Sequence, residues 1–206
     1  MIIQDRVICL NKVKYGEADL ILKFISSRGE VYSAIAKSAL KSRKRFGGGI
    51  LEPTHHLTVT VKRRSADESG SDERLSVLEE ATLIEDFAKL KTDYDRIDMA
   101  LQFVRIVATA AREGDANREV FNLLGHGLRA IETTRELGFL RLQFQLKFLH
   151  LQGVLPSDDR YQAIVRVPIR DHERLEAEIT TQLAGLLDWR ELATETEQRL
   201  AGYLQN

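Results

Sequence analysis

Between Lys37 and Arg45 five of nine residues are cationic, namely Lys37, Lys41, Arg43, Lys44 and Arg45; Phe46 then leads into Gly47-Gly48-Gly49. Cations at this density repel one another and stay in water, so the segment reads as a solvated loop with one helical turn at most. Its glycines let backbone approach a ligand closely. A polyanion is the partner that such chemistry suits. Charge runs are also ordinary solvated surface, so the neighbouring clusters matter: Lys12 and Lys14 close the first strand-like run, and Lys62-Arg63-Arg64 close the fourth. If these segments share one small β domain, three loops converge on one basic face, the footprint of a nucleic-acid binder. Phosphate contacts are then expected from Lys12, Lys14, Lys37, Lys41, Arg43, Lys44, Arg45, Lys62, Arg63 and Arg64. Tyr15 and Phe46 are the candidates for base stacking, and Phe46 is equally suited to tucking into a barrel and anchoring the loop.

Other chemistry is sparse, and no catalytic residue is assigned. The adjacent His55 and His56 would diverge on a strand, because successive side chains point to opposite faces, so they make a poor metal site. There is no His-Glu-x-x-His, no nucleotide-binding glycine fingerprint and no Gly-x-Ser-x-Gly elbow. Glu17, Asp19 and Glu52 lie near the basic loop, where pairing with local cations explains them more simply than acid-base work. Cys9 alone can form neither an internal disulfide nor a multi-cysteine zinc site; in an alternating strand it reads as a small buried apolar residue. The N-terminus lacks a secretory pattern and no apolar run is long enough to span a bilayer, which leads to the expectation of a cytoplasmic protein.

The net charge of -1 hides an asymmetry: residues 1–64 hold 13 Lys and Arg against 5 Asp and Glu, and the remainder 17 against 26. Two modules facing different partners are expected, with the basic one first. Its elements follow from alternation: strands over Arg6–Val13, Asp19–Ile25, Val31–Ala36, His55–Lys62 and Leu75–Ala81, with residues 65–73 as a polar hairpin tip. Five short strands whose longest connection falls between the third and fourth predict a closed barrel of the oligonucleotide-binding type. Beyond Ala81 the period changes to that of helices, predicted over Asp98–Arg112, Asn117–Thr133 and Leu137–Gln152 in an antiparallel bundle, one of them apolar on more than one face and central. Gly125 and Gly127 weaken the second or permit a close crossing. Tyr161–Ile169 reads as a short β-like segment, and His172–Trp189, broken near Gly185, and Thr194–Leu204 as closing helices. The overall expectation is α+β: a barrel over 1–82 and an all-α domain over 83–206.

Tyr15-Gly16-Glu17-Ala18-Asp19, Arg28-Gly29, Ala36-Lys37, Arg45-Phe46-Gly47 and Leu51-Glu52-Pro53, in that order and spacing, resemble the bacterial RecO family of recombination mediators and DNA-repair proteins. The match is dense over residues 1–60 and one of helix pattern over 85–155. The resemblance implies a barrel that binds single- and double-stranded DNA, annealing of complementary strands, and help in loading recombinase on DNA coated with single-strand-binding protein. It implies RecR and the acidic tail of single-strand-binding protein as partners, and a place at the bacterial nucleoid. For that tail the bundle should offer an apolar notch rimmed by cations, with Arg129, Arg135, Arg141 and Lys147 as candidates. In one respect the chain departs from the family: where many members carry a four-cysteine zinc module, Gly153-Val154-Leu155-Pro156 leads into Ser157-Asp158-Asp159-Arg160. No zinc or other cofactor is expected, and residues 155–170 would replace that module. An RNA-binding barrel, or a protein scaffold with a basic loop, uses the same residues; competition between matched DNA and RNA oligonucleotides separates the first from this reading, and the scaffold would show no salt-dependent oligonucleotide binding.

Overall fold

A computed structural model describes residues 1–63, 75–110, 116–182 and 188–205, without the side chains of Arg43 and Gln182. The expected hairpin tip over 65–73, Arg64, the helix end at Gly114-Asp115 and the break near Gly185 lie outside the described residues. Five strands, β1 (Ile2–Tyr15), β2 (Asp19–Ser26), β3 (Val31–Ala36), β4 (His56–Lys62) and β5 (Ser76–Glu85), close a barrel in the order β1-β2-β3-β5-β4. All pairs are antiparallel except β3 with β5. The long β1 makes closure possible: its first half pairs with β4, Ile2 opposite Lys62 to Ile8 opposite His56, and its second half with β2, to Tyr15 opposite Asp19. A register shift between Cys9 and Asn11 bends the strand from one partner toward the other.

Alternation along each strand fills the barrel with Val7, Cys9, Leu20, Leu22, Phe24, Leu57, Val59, Val61 and Leu78. Cys9 is fully buried, and burial pushes its thiol up to about 12, with Glu52 adding a smaller push in the same direction. The thiol is therefore expected to resist alkylation at pH 8 until the barrel unfolds, which labelling followed across a urea titration checks. Because the folded thiol holds its proton more tightly than the unfolded one, its contribution to stability is complete below pH about 9 and is lost as pH rises toward 12.

The chain divides into two compact units, Met1–Ala88 with Val104–Asn122, and Lys89–Phe103 with Leu123–Asn206. Helices α2 (Tyr94–Ala110) and α3 (Arg118–Thr133) contribute to both, and a four-residue α1 (Arg43–Phe46) stands between β3 and β4. In the first unit Lys23 of β2 donates to the Ala108 carbonyl at 2.7 Å, and the His56 ring meets Phe121 edge-on at 5.8 Å. His55, just before β4, is buried with its Nδ1 2.9 Å from the Ile50 carbonyl, so the two imidazoles meet different partners, Ile50 and Phe121.

In the second unit α4 (Leu137–Leu151) is buried around most of its circumference, including Phe139, Leu142, Phe144, Leu146 and Phe148. Gly127 allows the close crossing: a Cβ there would lie 3.1 Å from Phe144 and 3.2 Å from Phe103, whose rings stack at 3.7 Å. The expected β-like segment over Tyr161–Ile169 is instead α5 (Asp159–Val165) followed by a short 3-10 turn over Ile169–Asp171. Asp158 caps α5 by accepting the Arg160 N–H, and Tyr161, Ile164 and Val165 reach one core with α4, so helical spacing prevails over the local β pattern. Helices α6 (His172–Gln182) and α7 (Trp189–Leu204) follow; Asp188 caps α7, which puts Trp189 at the start of the last helix rather than at the end of the preceding one. Among the described residues no helix is long and apolar enough to cross a membrane.

Candidate nucleic-acid interface

The connection from β3 to β4 is anchored at both ends by backbone and side-chain bonds to β1 and β2. Asp19 accepts the Ser38 N–H at 2.7 Å and the Ala18 carbonyl accepts the Leu40 N–H at 3.0 Å, which fastens the loop to the β1–β2 turn. Ser38 takes a positive φ of 55° to make the bend. Ser42 caps α1 through its hydroxyl, and Arg45 donates to the Lys37 carbonyl at 2.7 Å while its guanidinium lies 5.0 Å from the centre of the Phe46 ring. At the far end Cys9 donates to the His55 carbonyl and Thr54 to the Cys9 carbonyl, both at 2.9 Å, so the connection continues the β4 side of β1.

These contacts correct several expectations. Phe46 is 1% exposed and belongs to the barrel core, so it anchors the loop and its ring is closed to bases. Phe46→Leu is expected to cost about 1.5 kcal/mol of stability and to leave oligonucleotide affinity within about twofold, as a melt and an anisotropy titration would show. Arg45 is half-buried and braces the loop. Lys12 forms a 2.5 Å ion pair with Glu52, so its charge is balanced. Arg63 pairs with Glu30 at 2.7 Å and lies 5.4 Å from the Tyr32 ring, which removes it from the solvent-facing cluster. Asp19 serves backbone N–H rather than a cation; Glu52 does pair with a lysine, as expected. Arg64 and the side chain of Arg43 lie outside the described residues.

Lys14, Lys37, Lys41 and Lys44 remain exposed on this end of the first unit. Beside them a hollow of about 240 Å³ is lined by Lys12, Leu20, Leu40, Phe46, Gly48 and Glu52 among others. A Cβ on Gly48 or Gly49 would meet nothing within 4 Å, so backbone there is open to an incoming group.

Strand register adds a feature that charge counting missed. Val13 stands opposite Ile21, Ile21 opposite Ile35, Ile35 opposite Val77, and Val77 opposite Lys62. Residues directly opposite share a face, and their sequence neighbours Leu20, Leu22, Ala34, Ala36 and Leu78 fill the core, so this row points outward. Val13 is 51% and Tyr15 49% exposed. Lys62 does not join the loop: antiparallel pairing carries it to Ile2, at the opposite end of β1. It ends the outward row instead, four strands or about 19 Å from Val13. Alternation within β1 and β2 could have suggested the apolar row; the partner across each strand could not be read from sequence.

In the second unit Arg129 and Arg135 are exposed, whereas Arg141 lies 3.7 Å from Glu197 and Lys147 donates to the Val165 carbonyl. Burial holds the Lys147 ammonium below its usual range. Lys147 thus caps the end of α5 and Arg141 ties α4 to α7, so neither rims an open notch.

Two family models match this chain: "Recombination protein O N terminal" over residues 1–87 and "Recombination protein O C terminal" over residues 91–160. The chain belongs to the RecO family. Among curated relatives, the DNA repair protein RecO of Maridesulfovibrio salexigens is 30% identical over 157 residues, covering 76% of this chain and 61% of that protein. That of Desulfatibacillum aliphaticivorans is 29% identical over 154 residues, covering 74% and 57%. That of Desulfosudis oleivorans is 30% identical over 178 residues, covering 85% and 64%. The matched region thus spans about 60% of the length of these RecO relatives. The N-terminal RecO match covers the five strands and the basic loop, and the C-terminal match ends within α5.

Proposed function

We propose that this RecO-family chain is a DNA repair and recombination mediator whose barrel holds the sugar-phosphate backbone of single- and double-stranded DNA by charge. The observation that carries this reading is the set of exposed Lys37, Lys41 and Lys44 on a loop pinned by Asp19, Arg45 and Phe46, with exposed Lys14 on β1 and an open glycine-lined hollow formed by the same loop. A fixed loop presents its cations without first being ordered, so little of the binding energy is lost to entropy. From that hollow a single strand runs along the outward row Val13, Ile21, Ile35 and Val77 toward Lys62. Tyr15 offers the stacking surface at its start.

Annealing requires no catalytic residue, because screening the repulsion between two strands and holding them together already speeds pairing. Residues 1–82 act as the DNA module and 83–206 as the helical module. The wider role comprises loading of recombinase on DNA coated with single-strand-binding protein, with RecR and the acidic tail of that protein as partners and the bacterial cytoplasm and nucleoid as the site of action. On the helical module the exposed Arg129 and Arg135 are the candidates for meeting an acidic tail. Fluorescence anisotropy with a labelled single strand across a salt series tests the core of this reading. About four phosphates neutralised predict a slope of log affinity against log salt near -3. Binding that does not weaken with salt would leave a protein scaffold as the better description, and stronger competition by a matched RNA would redirect it to RNA.

A further inference from the structure

We infer that the barrel carries a second site for a sugar-phosphate backbone, formed by Arg6 and Arg28 in a shallow polar hollow, and that it holds the complementary strand during annealing. The inference rests on the proposed DNA binding and goes beyond it by naming a second surface. The hollow, of about 570 Å³, is lined by Gln4, Asp5, Arg6, Ser27, Arg28 and Thr58. Arg6 is exposed on the outward face of β1, opposite Thr58 of β4, which itself stands opposite Thr82 of β5. The lysine loop and Val13 lie toward the other end of β1, seven residues or about 23 Å of coiling strand from Arg6, and the row from Val13 ends at Lys62, four residues or about 13 Å along β4 from Thr58.

The second surface is held in shape. The Asp5 side chain is only 4% exposed, and its Oδ2 accepts a hydrogen bond from Arg28 Nη2 at 3.3 Å, while the Arg28 side chain is 63% exposed. The buried carboxylate thereby aims one edge of the guanidinium inward and leaves its other N–H groups toward solvent. The turn carrying Arg28 is tied to β1 by the Ser27 N–H donating to the Arg6 carbonyl at 2.7 Å, and is braced within itself by Ser26, whose hydroxyl accepts the N–H groups of Arg28 and Glu30. Asp5 and Arg28 balance, and Arg6 supplies the net positive charge. Two guanidiniums with neutral amide and hydroxyl groups between them suit phosphodiester oxygens and sugar. Among the described residues no apolar side chain lines the hollow, so an acidic peptide would find nothing in that lining for its hydrophobic residues.

Charge reversal at exposed Arg6, as Arg6→Glu, tests the inference, with Thr58→Glu on the neighbouring strand as a second variant that leaves the Asp5–Arg28 pair intact. Thermal melts of both verify the fold. Anisotropy with one labelled single-stranded oligonucleotide is expected to change by less than about twofold. The rate of annealing between donor- and acceptor-labelled complementary oligonucleotides is expected to fall about tenfold, and its salt slope to shrink by about 0.7 for each phosphate no longer neutralised. Unchanged annealing in both variants overturns the second site, as does an equal loss of single-strand binding and annealing, which would make the hollow part of one continuous path. Absence of salt-dependent binding by the unmodified protein would instead overturn the proposed function on which the inference rests.

Discussion

Gly29→Ala is expected to destabilise the first unit by at least about 3 kcal/mol. Gly29 sits in the β2–β3 turn with φ of 88°, where its N–H donates to the Ser26 carbonyl and its carbonyl accepts the Asn117 N–H. A left-handed conformation alone costs a residue with a Cβ about 1–2 kcal/mol. The larger effect is steric: a Cβ would lie 2.1 Å from the Asn117 carbonyl carbon and 2.2 Å from the Arg118 nitrogen, both backbone atoms at the start of α3. Backbone entering a helix cannot swing aside as a side-chain tip can, so turn and helix must separate, and the Asn117–Gly29 hydrogen bond goes with them. A fall in melting temperature of about 6–12 °C corresponds to that loss in a chain of this size. A variant melting within about 2 °C of the parent would mean that α3 does not rest on this turn.

Replacing Lys37, Lys41 and Lys44 together by alanine is expected to weaken single-strand binding about a hundredfold at 0.1 M salt. Each neutralised phosphate contributes about -0.7 to the slope of log affinity against log salt, so removing three lysines takes about two from it, and two decades of affinity at a tenfold dilution from 1 M. All three side chains are exposed, and the bonds that shape the loop run through the Lys37 carbonyl, Ser38, Leu40, Ser42 and Arg45 rather than through lysine ammonium groups. The melt should therefore stay in place, unlike that of a variant lacking Arg45, whose loss would loosen the loop and confound the comparison. Unaltered affinity and slope would remove the lysine loop from DNA binding.

The five strands, the basic connection and the three long helices were legible in the sequence because each rests on short-range periodicity. Alternation at two residues marks Val7, Cys9 and Leu57, Val59, Val61; helical spacing marks Leu140, Phe144 and Phe148. The Tyr161–Ile169 segment was misread for the same reason. Its β-branched residues suggest a strand, but no partner strand exists among the described residues, and the apolar side chains of Tyr161, Ile164 and Val165 gain more by packing helically into one core with α4. Phe46 and Arg45 show a different limit. Local sequence leaves Phe46 suited both to stacking and to anchoring and makes Arg45 look solvated; the fold decides both, with Phe46 plugging the barrel and Arg45 gripping a carbonyl within the same loop.

Composition and order of residues determined that a basic barrel precedes an acidic set of helices, and that positive charge gathers between the third and fourth strands. Which of those charges face water was decided only by the tertiary structure. Ion pairing joins groups far apart in the chain, as Lys12 with Glu52 and Arg63 with Glu30, and strand register sends Lys62 to the opposite end of β1. Pairing partners and register are set by the closure of the whole sheet, a cooperative property that no local window of sequence contains.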